Sequence, residues 1–174
     1  IMLSDKVTTV SETYSHEIRY AYFAHGLHDI LSSQSYKLSG IVNGIDTKIY
    51  DPSKAMFPFK PSDLSGKLKT KKALLERLGL DNDSSAPLII MISRLAEHKG
   101  FELLQYIGEE MINSTNIRLA VLGTGEKKYE DYVNYLAYIF PGRVSANIMF
   151  DTGLADFMYA GADFLLMPSK SEPC

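Results

Sequence analysis

Four short, mainly apolar runs punctuate the second half of the sequence: PLIIMIS (87–93), IRLAVLG (117–123), VSANIMF (144–150) and DFLLMPS (163–169). The first is continuous rather than alternating, the pattern of a strand covered on both faces. The segments between them carry helical periodicity. GFELLQYIGEEM (100–111) places Phe101, Leu104, Ile107 and Met111 on one face, and EKKYEDYVNYLAYIF (126–140) does the same with Tyr129, Val133, Leu136 and Ile139 or Phe140. A shorter helix is expected over LADFMYAGA (154–162). Strands alternating with helices and joined by short links predict an α/β fold, a doubly wound parallel sheet of Rossmann-like type.

The first half is less regular. KVTTVS (6–11) reads as a strand, and Ser11 as the cap of a helix running through ETYSHEIRYAYF. GIVNGID (40–46) reads as a short strand closed by the Asn43-Gly44 turn. The stretch 50–66 carries three prolines and no periodicity, and is expected to be a surface loop. A helix over 67–80 follows, with Asp63 or Ser65 as its cap and Gly79 as its stop. A domain boundary is placed near residue 39. Residues 1–39 read as the last strand and helix of a neighbouring domain, and 40–174 as the greater part of the next.

Composition narrows the function classes. A chain with 45% hydrophobic and 22% charged residues has the makeup of a soluble globular protein, and a formal net charge of −3 gives no sign of nucleic-acid or polybasic membrane binding. The local cluster Lys67, Lys69, Lys71 and Lys72 reads as the solvated start of a helix. A single cysteine, Cys174, excludes an intrachain disulfide. No run approaches the roughly 20 apolar residues of a bilayer span, and the start is not a signal peptide, so a cytoplasmic location is expected. Opening on Ile1, the chain reads as a piece of something longer.

In an open parallel sheet, ligands bind beyond the carboxyl ends of the strands, so the links that follow the strands hold the candidate chemistry. After the first comes SRLAEHKG (93–100) with Arg94 and Lys99; after the second GTGE (123–126) with Gly123 and Gly125; after the third Phe150-Asp151; after the fourth SKSEPC (169–174) with Glu172. Two cations, glycines at a helix start, an aromatic and an acid suit a nucleoside diphosphate joined to a sugar. Each part also has a plainer reading. Arg94 and Lys99 fit an exposed first turn, GTGE a common strand-to-helix turn, Phe150 a core position and Glu172 a solvated loop acid. GTGE lacks the third glycine of the dinucleotide fingerprint, which argues against a nicotinamide-dependent dehydrogenase. His25, His28 and Asp29 make a poor metal set, and no metal or cofactor is expected.

LSGIVNGID (38–46), DLSGK with KKALLERLGL (63–80), SRLAEHKG (93–100), VLGTGE (121–126) and YAGADFLLMPSKSEPC (159–174) occur in one order and spacing. Together with SDKVTTVSETYSHEI at the start, they resemble the family of bacterial glycogen synthases and plant starch synthases along essentially the whole chain. The resemblance implies a glycosyltransferase of the two-domain B-type fold, with 1–39 ending the N-terminal, acceptor-side domain and 40–174 forming most of the C-terminal nucleotide-sugar-binding one. It implies transfer of glucose from ADP-glucose to the non-reducing 4-hydroxyl of an α-1,4-glucan, with retention and without a metal. It assigns Arg94 and Lys99 to the donor phosphates and Glu172 to the active site as its carboxylate. Asn43, Gly123, Gly125 and Cys174 become substrate-site positions, and Phe150 falls where the family has a tyrosine against the adenine.

This sequence departs from the family pattern at Lys170-Ser171, where arginine and an aromatic are usual, and at His98 and Phe150. The family continues beyond the EPC motif and carries a lysine- and glycine-rich loop and a histidine upstream, so the chain alone is expected to be inactive and its parent active. Two other readings stay open: a retaining transferase using a UDP- or GDP-sugar on another acceptor, and a non-catalytic paralogue that binds nucleotide or glucan.

Overall fold

Ser11 caps a helix as its sequence position predicts: its hydroxyl accepts the Tyr14 N–H at 2.9 Å and opens α1, Glu12–Glu17. In this computed structural model, which describes residues 1–174, the chain divides into two compact units, Ile1–Tyr50 with Glu172–Cys174, and Asp51–Ser171. In the first unit, β1 (Val7–Thr9) pairs in parallel with β2 (Leu38–Gly40), and α2 spans His28–Ser33. A small core forms from Ile18, Ala24 and Leu31, with Tyr14 and Leu38 against it.

Two expectations for this unit fail. The helix after Ser11 stops at Glu17 and gives way to tight turns that reverse at His25 (φ 46°) and Gly26 (φ 86°). Tyr20 and Tyr22 are exposed, so no apolar stripe supports further helix. The strand expected at 40–46 lies instead at Leu38–Gly40. Its partner β1 offers three residues before Ser11 turns the chain, and residues 41–46 are exposed without regular structure. Contacts divide the chain after Tyr50, whereas the sequence pattern places a boundary near residue 39.

The second unit holds the predicted α/β sheet. Its elements are α3 (Ser65–Arg77), β3 (Leu88–Ile92), α4 (Phe101–Ser114), β4 (Arg118–Leu122), α5 (Lys127–Ile139), β5 (Val144–Asn147), α6 (Thr152–Gly161) and β6 (Phe164–Leu165). All pairings are parallel, in the order β5-β4-β3-β6. Alternate residues of the central strands serve opposite cores. Leu88, Ile90, Ala120 and Leu122 pack with Leu74 and Leu75 of α3 and Met158 of α6. Met91, Leu119 and Val121 pack with Phe101 and Leu104 of α4 and Tyr129, Val133 and Leu136 of α5. Helices on both faces make the sheet doubly wound, as the continuous apolar runs require.

The fourth run forms only two residues of strand. β6 pairs Phe164 and Leu165 with Ile89 and Ile90, and as an edge strand it is exposed. Along α4 the buried face is Phe101, Leu104, Gly108 and Ile112, one position round from the expected face, and Ile107 is exposed. Gly108 is what allows this rotation, because a Cβ there would sit 2.7 Å from the Tyr132 hydroxyl of α5.

α3 opens where Asp63 accepts the Ser65 N–H at 3.0 Å. It closes at Gly79 (φ 66°), with Gly79 N–H to Glu76 O and Leu80 N–H to Leu75 O, the paired bonds of a Schellman stop. Its lysines are not all solvated. Lys71 is buried and donates to Ser84 O, Ala86 O and the Asp163 carboxylate, while Lys67 donates to Ala160 O and Ala162 O. The ammonium groups satisfy carbonyls that end α6 and precede β3, so helix position alone misplaces them in solvent.

Candidate functional site

The strand order identifies one link as special. From β3 the chain moves outward through β4 to β5, then returns to the other side of β3 as β6. The order reverses at β3, and the crevice of such a sheet opens beyond the carboxyl ends of the two strands flanking that reversal. Those ends lead into 93–100 and 166–171. Arg94 and Lys99 therefore lie at the switch point, with Gly123 and Gly125 one strand away and Phe150 two strands away.

Local geometry explains how the first link holds its cations. Ser93 N–H and Leu95 N–H donate to Leu122 O (3.2 Å) and Thr124 O (3.0 Å), and Glu126 N–H donates back to Leu95 O (2.7 Å). Leu95 is fully buried, which leaves its neighbour Arg94 projecting as an exposed guanidinium. The chain then makes a single 3₁₀ turn, Glu97–Lys99, and passes through Gly100 (φ 78°) into α4. Lys99 is half-buried at the N-terminal approach to a 14-residue helix, where unpaired backbone N–H groups favour negative charge.

Glycine is required at 123 and 125 by the chain's own backbone. A Cβ at Gly123 (φ 152°) would meet Ser93 O at 1.9 Å, and one at Gly125 would meet Leu95 O at 2.2 Å. Close packing of GTGE against the Arg94 link fixes that link. The α5 end of the turn is already occupied by carboxylates: Gly125 N–H donates to Glu130 at 2.8 Å and Glu97 N–H to Glu126 at 3.1 Å. Phe150 is exposed over 89% of its surface, so it is not a core residue, and Asp151 beside it caps α6 through the Leu154 N–H (2.8 Å).

The other flank of the Arg94–Lys99 link is held by 168–170. Lys170 N–H donates to His98 O at 2.9 Å, and its ammonium reaches Glu102 at 2.5 Å and Glu97 at 3.3 Å. The hydrogen bond from Lys170 holds the Glu102 carboxyl below its ordinary range, and Glu102 foremost, then Glu97, hold the Lys170 ammonium above its own. In the sequence Lys170 stands out only as a departure from a family pattern. The signal for its role was the acid load around the two cations, Glu97, Glu102, Glu126 and Glu130.

The remaining predicted positions fall in the first unit. Asn43 is exposed in the irregular 41–46 stretch, and Glu172 and Cys174 are exposed at the end of the chain.

Comparison with known proteins bears on the fold. Residues 1–33 match the family described as the starch synthase catalytic domain. The whole chain aligns with the glycogen synthases of Streptococcus uberis (47% identity) and Clostridium novyi (46%), covering 37% of each. The catalytic domain of starch synthase IV from Arabidopsis thaliana, bound to ADP and acarbose, superposes with a TM-score of 0.90 at 33% identity, over 99% of this chain and 36% of that one. Along its whole length the chain is similar to glycogen and starch synthases. It has an α/β fold like that of the matching part of the starch synthase, and spans a little over a third of the length of these relatives. A structure of Anabaena Alr3699/HepE, in complex with UDP and glucose, shares the fold with a TM-score of 0.59 at 16% identity, covering 98% of this chain and 39% of that one. No helix of the chain is long and apolar enough to cross a membrane.

Proposed function

We propose that the protein containing this segment transfers glucose from ADP-glucose to the non-reducing end of an α-1,4-glucan with retention of configuration, in the cytoplasm. The observation that carries the reading is the position of Arg94 and Lys99 at the switch point of the sheet, on a link packed rigidly against its neighbour. The starch synthase structure that binds ADP and acarbose supports adenine nucleotide as donor and glucan as acceptor.

In the proposed reaction the bond between the glucose anomeric carbon and the diphosphate oxygen breaks, and a new one forms to the glucan 4-hydroxyl on the same face. The hydroxyl proton passes to the departing diphosphate. Negative charge grows on that diphosphate while the sugar becomes oxocarbenium-like. Arg94 supplies a planar fork for phosphate oxygens and Lys99 a compact charge beside it. A single well-placed donor aimed at developing charge contributes about 3–4 kcal/mol to the transition state. Glu172 is the active-site carboxylate for the donor glucose in this reading, and Phe150 an adenine platform that stacks without the hydroxyl of a tyrosine. Asn43 and Cys174 are assigned to the sugar side, and Gly123 and Gly125 to the diphosphate side. Residues 1–39 belong to the acceptor-side domain.

Glucose incorporation into glycogen by the full-length protein, with ADP-glucose and UDP-glucose side by side, tests the proposal. Turnover with ADP-glucose is expected, with kcat reduced about 100- to 1000-fold in Arg94→Ala and in Lys99→Ala. Turnover with UDP-glucose alone would move the protein to a sister transferase class. Nucleotide binding without turnover on either donor would make it a non-catalytic binder.

A further inference from the structure

Lys99 sits in a turn surrounded by acids. Glu97 is in the same turn, Glu102 is in the first turn of α4, and Glu126 reaches across to the Glu97 N–H. An anion beside Arg94 and Lys99 would meet this negative charge unless it is neutralised, because like charges a few ångströms apart repel. Lys127 is paired with Asp131 at 2.7 Å, and Lys128 reaches Glu126 at 3.4 Å from over the Tyr129 ring, whereas Lys170 makes a direct cation contact to Glu97 and Glu102.

We propose that Lys170 is a positioning residue for the donor diphosphate, neutralising Glu97 and Glu102 and clamping the Lys99 turn from the β6 side. Three observations carry this. The Lys170 ammonium contacts both acids, at 3.3 Å and 2.5 Å. Its backbone N–H holds His98 O, one residue before Lys99. Two residues earlier, Pro168 O lies where a Cβ of Gly100 would be, 2.0 Å away, so the 168–170 segment and the 98–100 turn pack backbone to backbone. On its β4 side the same link is held by backbone hydrogen bonds to Leu122, Thr124 and Glu126. On the β6 side Lys170 supplies a side-chain restraint. It touches neither substrate nor reacting atoms in this scheme. It sets the potential and the position of the residue that does.

The inference rests on the phosphate role proposed for Arg94 and Lys99, and the test separates the two. ADP binding to the full-length protein is measured by calorimetry at two salt concentrations for wild type, Arg94→Ala, Lys170→Met, Lys170→Arg, Glu102→Gln and the triple variant Glu97→Gln/Glu102→Gln/Lys170→Met. Lys170→Met is expected to weaken ADP about tenfold, Lys170→Arg to stay within about threefold of wild type, and the triple variant to recover most of the loss. That recovery is what a purely structural lysine would not give, since removing two more partners would worsen packing. Glu102→Gln alone is expected to bind ADP about two- to threefold more tightly, which keeps the idea testable if Lys170→Met does not fold. Wild-type affinity in Lys170→Met, or a triple variant no better than Lys170→Met, overturns the proposal. Binding in wild type that is insensitive to Arg94→Ala overturns the phosphate reading beneath it.

Discussion

Lys71 donates three hydrogen bonds from a side chain that is 4% exposed, two to carbonyls before β3 and one to Asp163 at 2.6 Å. Lys71→Met keeps the volume but leaves both carbonyls and a partly covered carboxylate unpaired, an expected loss of about 2–4 kcal/mol. A fall in the urea midpoint with an unchanged slope checks it, and an unchanged midpoint contradicts it. The loop aspartates act through titration. Asp51 and Asp83 accept hydrogen bonds from Ser53 and Ser85, and Asp63 from Ser65, which holds each carboxyl below its ordinary 3.8. Their contribution is complete above that value and is lost as pH falls through the lower native one. The triple variant Asp51→Asn/Asp63→Asn/Asp83→Asn is expected to lose less stability than wild type between about pH 5 and 2, followed by thermal unfolding. Parallel profiles would contradict the assignment. Arg94 was legible as a candidate because its type and place in the sequence suffice. The burial of Lys71 was not, because its partners lie 13 to 92 positions away.

Among the elements, the turn into α4 bears most on the site. Gly100 needs glycine twice, for its φ of 78° and for the approach of Pro168 O. Gly100→Ala is expected to cost at least about 1–2 kcal/mol from the left-handed backbone alone, and to weaken ADP binding by displacing Lys99. Native stability together with native ADP affinity would show that the turn does not position Lys99. The strands and helices of 88–161 were legible because each periodicity spans a whole element and agrees with its neighbours. The rotated face of α4 was not, since it depends on Gly108 making room for Tyr132 of a different helix. The short β6 and the truncated α1 escaped for a related reason. Apolar content suggested longer elements, but pairing with β3 and a missing apolar stripe set their lengths.

At the scale of the whole molecule, alternation in β3 and β4 sends neighbouring side chains to opposite helical layers, and this specifies a doubly wound sheet without any knowledge of its ligand. The sequence could not show which link sits at the reversal of strand order, because strand order is set by non-local pairing. That information ranks Arg94 and Lys99 above the glycines, whose small size serves the chain's own backbone. The two compact units make a separate prediction. Residues 41–50 are exposed throughout and meet the Asp51–Ser171 unit at its start, so limited trypsin digestion is expected to cut first after Lys48. First cuts within the sheet, between 88 and 165, would contradict the division. The central claim is that the two cations at the switch point hold a diphosphate. The most direct test compares ADP with adenosine binding in the full-length protein and in Arg94→Ala/Lys99→Ala. Wild type should prefer ADP by about 100-fold or more, and the double variant should lose that preference while still binding adenosine. An ADP preference that survives the loss of both cations would contradict the account.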